Sequence, residues 1–157
     1  MPLEELEFLG EYQESNRIEA KRAQGGLPHS LWETYSAFAN TQGGVILLGV
    51  AEGERGALYS VPLFDPEELA EEFWAMVQDR RVVSVNLLQR EDVQILKSGR
   101  NPIVAIFVPK ASDRDRPVYI GEDPYSGTYC RRGEGDYRCS RSEVDVMFRE
   151  RQSQGND

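Results

Sequence analysis

An α+β domain, with a mixed β-sheet flanked by about four helices, is what this sequence predicts. Three observations carry that reading. Amphipathic helical stripes and short β-branched runs follow one another in mixed order rather than in regular alternation. One run, residues 103–108, is apolar on both faces, as a central strand is. The 157 residues contain no internal repeat and leave room for only one ordinary domain.

Taken in order, the first candidate helix covers roughly residues 3–10, with Leu3, Leu6 and Leu9 near helical spacing. Residues 16–22 then alternate, Ile18 and Ala20 on one face against Arg17, Glu19 and Lys21 on the other, which fits a strand with one polar face. Gly25, Gly26 and Pro28 end it. Ser30 and Glu33 match a reciprocal capping pattern, so a helix should start at Ser30 and bury Leu31, Tyr35, Phe38 and Ala39. Asn40 to Gly44 should close that helix, and the apolar run 45–50 should be a buried strand. Asp65 as N-cap and Pro66 in the first turn open a third helix, with Leu69, Phe73, Met76 and Val77 as its stripe. Residues 82–88, 93–97 and 103–108 read as strands, with shorter candidates at 117–120 and 128–131. A last helix begins near Ser140, where Ser140 and Glu143 repeat the capping pattern and Val144, Met147 and Phe148 form a stripe. We expect one domain over residues 1–152 and a polar tail, 153–157, that could begin a linker to further C-terminal domains.

Charge narrows the function classes. The formal net charge is -9, and residues 1–79 hold 4 Lys/Arg against 15 Asp/Glu. An acidic surface opposes non-specific nucleic-acid binding, which depends on releasing phosphate counterions. A nucleic-acid role must therefore use a local basic surface, or metal ions held by the acidic half. No run reaches the roughly 18 apolar residues of a membrane span, and the N-terminus is acidic, so we expect a cytoplasmic chain with no membrane partner. Two cysteines and one histidine cannot build a four-ligand zinc site without carboxylates. Cys130 and Cys139 are expected to be free thiols, with a regulatory disulfide as the alternative. His29 is expected to be solvated or capping. No G-x-x-x-x-G-K-[ST] loop occurs, and Gly133-Glu134-Gly135 is not a dinucleotide fingerprint, so ATP is not supported as a cofactor.

Three segments carry the motifs. They are Glu14-Ser-Asn-Arg-Ile-Glu19-Ala-Lys21; Ala37-Phe-Ala-Asn40-Thr-Gln-Gly43-Gly44 with the run that continues to Val50; and Arg116-Pro-Val-Tyr119 followed by Tyr129-Cys-Arg-Arg132-Gly-Glu-Gly-Asp-Tyr137. In this order they closely resemble the Schlafen-type Alba domain, also called the divergent AAA domain, of bacterial DNA-binding proteins, over roughly residues 12–150. Ala20 departs from the pattern, since the family more often has an aromatic there. The resemblance implies an α+β fold that binds DNA or RNA, often ahead of further domains in predicted transcriptional regulators, with a homodimer as a further expected partner.

Relatives of this type that cut RNA also imply a second reading, a divalent-metal-dependent RNA endonuclease. Its metal-binding and catalytic carboxylates would fall on Glu14, Glu19 and Glu52, the last being Glu where nuclease members have Asp. Mg²⁺ or Mn²⁺ would be the cofactor, whereas binding alone requires none. Five residues separate Glu14 from Glu19, so an unbroken strand would put them on opposite faces. They converge only if Glu14 precedes the strand and the chain turns at Ser15-Asn16. Alternatively, Glu14 caps a turn, Glu19 pairs with Lys21 or Arg17, and Glu52 is a loop charge. For phosphate contacts the candidates are Lys21, Asn40, Arg131, Arg132 and Arg138. The arginines could instead pair with Glu134 and Asp136, and Asn40 with the paired glycines could simply close a helix. A dimerisation or scaffold domain whose acidic half meets a protein partner is the third class.

Overall fold

The computed structural model describes residues 13–155, so the helix expected at 3–10 lies outside the described residues. Residues 14–17 form a turn that leads into β1 (Ile18–Lys21). Helix α1 (Ser30–Asn40) follows, then β2 (Gly44–Leu48), β3 (Val50–Glu52) and β4 (Leu58–Ser60). Helix α2 (Pro66–Val77) precedes a long irregular segment and the hairpin of β5 (Val93–Ser98) and β6 (Asn101–Val108). The short helix α3 (Pro124–Gly127), the hairpin β7 (Tyr129–Arg132) and β8 (Gly135–Arg138), and helix α4 (Arg141–Gly155) complete the domain.

Four strands make the main sheet in the order β1-β2-β6-β5, with β1 parallel to β2 and the other pairs antiparallel. The sheet is mixed, as the sequence predicts. Strands β2 and β6 are interior and apolar on both faces. Ile46, Leu48, Val104 and Ile106 pack under α1 and α2 on one face. On the other face Val45, Leu47, Ile103 and Ala105 join Ile18 and are covered by Val50 and Leu58. Leu31, Tyr35, Phe38 and Phe73 are fully buried, and Phe73 stacks on Trp32 with ring centroids 5.2 Å apart. Each such side chain contributes about 2–3 kcal/mol by leaving water.

Several expectations are corrected. The run 45–50 is not one strand. Gly49 takes φ +85°, where a Cβ would meet Leu63 at 2.8 Å, and the chain turns there into the separate β3-β4 ribbon. Residues 82–88 form no strand, only a bridge between Val83 and Ile120. Turn and bridge bonds take the first of these residues, and further on the Tyr35 hydroxyl donates to Val85 O and accepts from Leu87 N. Residues 117–120 likewise make only isolated bridges. The Ser30–Glu33 capping pair does not form, because Ser30 is already helical and its hydroxyl accepts from Lys21 Nζ. The other two caps do form, at Asp65 and at Ser140 with Glu143. His29 precedes α1, exposed and making no cap bond. Cys130 and Cys139 are not free thiols but a disulfide, with Cα atoms 6.0 Å apart. Antiparallel pairing of β7 with β8 brings Cys139 back beside β7, where its N–H donates to Thr128 O.

Asn40 holds the last turn of α1 to the rest of the domain. Its Nδ2 donates to Val118 O and Tyr129 O, and its Oδ1 accepts from Val118 N at 2.8 Å, all buried. Replacing Asn40 with Ala strands these backbone groups in the core. Urea denaturation of Asn40→Ala should show a loss of about 3 kcal/mol; a loss below about 1 kcal/mol would show that water substitutes for the amide.

Candidate carboxylate and nucleic-acid site

The turn at residues 14–17 brings Glu14 and Glu19 together. Ser15 N donates to Ile18 O at 3.0 Å, the Arg17 N–H donates to the Ser15 hydroxyl, and Asn16 bonds Gln42, so the chain reverses before β1 begins. Glu14 then lies back along the strand, where its Oε1 accepts from Ala20 N at 3.2 Å. Strand β1 is an edge of the sheet, and this carboxylate satisfies an edge N–H that no neighbouring strand reaches. The required turn is thus present, and Glu14 and Glu19 meet.

Burial pushes the Glu14 carboxyl up to about 7. That value already includes upward contributions from the charge of Glu19 and a hydrogen bond shared with it, the opposing Ala20 N–H, and a smaller push from Glu52. Glu14 is thus the carboxyl of this pair that its surroundings favour in the protonated form. Glu52 ends β3 and is exposed. Gln13 ties the two regions by donating to Arg55 O at 2.8 Å, just past Glu52. Glu52 is within electrostatic reach of Glu14, but the three carboxylates do not all lie within 4.8 Å of one another; among the described residues only Cys130, Cys139 and Glu143 form such a triad.

Glu19 faces the helical side of the sheet and meets two cations. Arg131 Nη1 donates to Glu19 Oε1 at 2.9 Å, and Lys21 Nζ lies 4.0 Å from Glu19 Oε2. The Lys21 side chain is only 11% exposed and donates to Ser30 Oγ at 3.0 Å. Arg131 is wholly buried, its guanidinium 4.9 Å from the centre of the Phe38 ring. It donates to Glu19, Asp136, Ser15 O and Ile18 O. Asp136 in turn accepts from the Thr34 hydroxyl at 2.6 Å.

Arg131 and Asn40, both expected at phosphates, are thus internal, and the N–H of Gly43 is spent on Phe38 O. Arg132 and Arg138 are exposed on the hairpin; Arg132 pairs with Glu143 at 3.1 Å, and Arg138 has no ion pair among the described residues. The alternative pairing of the arginines with Asp136 holds for Arg131, at 2.7 Å, whereas Thr34, which donates to Asp136, was missed. The signal for the Arg131 pairing was the spacing across the Gly-Glu-Gly-Asp turn, which sets Asp136 opposite Arg131.

Comparison with known proteins follows the same outline. A family described as Schlafen, AlbA_2 matches residues 14–140. The N-terminal domain of a RecG-related protein from Nitrosomonas europaea is similar at 31% identity and TM-score 0.62, over 87% of this chain and 92% of that one. The DIP2311 protein from Corynebacterium diphtheriae shares the fold at 19% identity and TM-score 0.54; the match covers 85% of this chain and 23% of that one. No curated protein matches the chain.

The raised Glu14 carboxyl fixes the sign of a pH dependence. The folded protein holds this proton up to about 7, the unfolded chain only to 4.5. The resulting stability is complete below the unfolded value and is lost as pH rises through the folded one. Glu14→Gln mimics the protonated form. Melting curves should show the variant gaining on the parent between about pH 5 and about pH 8, by about 1 kcal/mol once solvent screening is allowed for. Parallel pH profiles for the two proteins would contradict the shift.

Proposed function

The chain belongs to the Schlafen, AlbA_2 family, and from that premise we propose that it is a nucleic-acid-binding domain whose contact with the phosphate backbone runs through a divalent cation at Glu14 and Glu19. The observation that carries this reading is the turn at residues 14–17, which lays the Glu14 carboxylate against the Ala20 N–H of the edge strand and brings it to Glu19. Two acids held in contact repel once ionised, and a hard cation relieves that repulsion better than a proton does. All donors there are carboxylate oxygens, which suits Mg²⁺ or Mn²⁺, and Glu52 is near enough for its charge to act on Glu14. A bound cation would neutralise phosphate charge and, with water, supply a nucleophile.

The chain's own residues do the rest. Arg131 and Lys21 orient Glu19, while the Ala20 N–H holds Glu14. Arg132 and Arg138 offer exposed guanidinium groups for flanking phosphates, and the half-exposed Tyr137 between β8 neighbours offers a ring for stacking. The net charge of -9 supports the same reading, because a chain this acidic gains little from counterion release alone. The RecG-related neighbour carries the name of a DNA helicase, which is in keeping with a nucleic-acid partner.

A second reading rests on the same site, namely metal-dependent RNA cleavage. A cation held at Glu14 and Glu19 would lower the pKa of a bound water and make it a nucleophile for the scissile phosphate.

Incubation with labelled transfer RNA separates these readings. The gel shift should require Mn²⁺, weaken at least tenfold in Glu14→Gln or with EDTA, and lose about one unit of salt slope in Arg138→Ala. Cleavage abolished by the same substitution and chelator would establish the hydrolytic reading. A shift indifferent to metal and to Glu14, or no shift at all, would refute a carboxylate-held contact.

A further inference from the structure

A second cluster of metal-type ligands lies away from the acidic pair, at the start of α4. The Sγ atoms of Cys130 and Cys139 and a carboxylate oxygen of Glu143 all lie within 4.8 Å of one another. We propose that this is a redox-gated site for a thiophilic divalent cation such as Zn²⁺: shut while Cys130 and Cys139 form a disulfide, and a three-ligand clamp once they are reduced.

Three different elements deliver the ligands. Cys130 is on β7, Cys139 sits between β8 and α4, and Glu143 occupies the first turn of α4. Around a tetrahedral Zn²⁺ with bonds of about 2.3 Å, two thiolate sulfurs stand about 3.8 Å apart. Backbones whose Cα atoms are 6.0 Å apart span that separation by side-chain rotation alone. Cys139 is fixed by its N–H bond to Thr128 O, and Glu143 by its bond from Ser140 N at 2.8 Å. Glu143 also accepts from Arg132, so two of its roughly four lone-pair sites are in use and the others remain for a cation. Cys139 is buried whereas Cys130 is half-buried, so a reductant reaches the disulfide from the Cys130 side. Three protein ligands leave the fourth position to water. Two sulfurs select a softer ion than the all-oxygen pair at Glu14 and Glu19 would take.

The chemistry balances. A dithiol reductant gives two electrons and two protons to the Cys130–Cys139 bond and is itself oxidised to a disulfide. The two thiols then release their protons to water as the cation binds. Either closed state, S–S bond or shared cation, staples the hairpin next to Arg131, which anchors Glu19.

The test uses the whole chain, reduced or oxidised, with Co²⁺ as a spectroscopic probe for Zn²⁺. The reduced protein should bind one Co²⁺ with thiolate-to-cobalt charge-transfer absorption, and Zn²⁺ should displace it. The oxidised protein should show no such absorption. Cys139→Ser should abolish the band; S-alkylation of the reduced parent, which needs no substitution, should do the same. Glu143→Gln keeps the bond from Ser140 and should weaken binding at least tenfold, while Glu14→Gln leaves it unchanged. Absence of the band in the reduced parent, its survival of alkylation, or equal affinity in Glu143→Gln would overturn the site.

Discussion

The buried guanidinium of Arg131 is the interaction on which the rest of this structure depends. A charged group with no solvent exposure is tolerable only when its donors and its charge are both met. Here Glu19 and Asp136 supply the counter-charges, and the carbonyls of Ser15 and Ile18 take other donors. Those partners lie on the turn before β1, on β1 and on β8, while Arg131 itself is on β7. Asp136 extends the linkage to Thr34 in α1. A single side chain thereby fixes the hairpin, the edge strand and the helix relative to one another, and Asn40 joins the same helix to Val118 and Tyr129 from the other side.

The same arrangement explains why the proton of the acidic pair centres on Glu14. Glu19 has Arg131 at 2.9 Å and Lys21 at 4.0 Å, so its negative charge is compensated from two directions. Glu14 is partly buried and faces the charge of Glu19, with the Ala20 N–H as its opposing donor. Two chemically identical groups thus meet different surroundings: Glu19 is paired with cations, and Glu14 is partly buried against another carboxylate. A basic residue that sequence reading assigns to phosphate is, in the folded chain, the buried partner of Glu19.

Much of this was legible in the sequence. The apolar stripe of α1, the Asp65 cap and the two-faced apolar run of β6 follow from local rules, and each appears where those rules put it. The turn required for Glu14 and Glu19 to meet could be stated in advance because strand periodicity forbids any other solution. What was not legible depended on long-range partners. Residues 82–88 carry strand composition, yet turn and bridge bonds and the Tyr35 hydroxyl take up their backbone. Arg131 and Arg132 are adjacent and chemically alike, but strand alternation sends one into the core and leaves the other outside. Spacing alone did not decide whether Cys130 and Cys139 would join; the register of the hairpin did.

The claim at the centre of this account is that Glu14 and Glu19 share a proton that a hard cation replaces. The most direct test is a carboxyl carbon NMR titration of Glu14, run with and without Mg²⁺. The account predicts a midpoint near 7 in the free protein and a marked fall when Mg²⁺ is present, because the cation favours the ionised form. A Glu14 midpoint near the ordinary 4.5, unmoved by Mg²⁺, would contradict it.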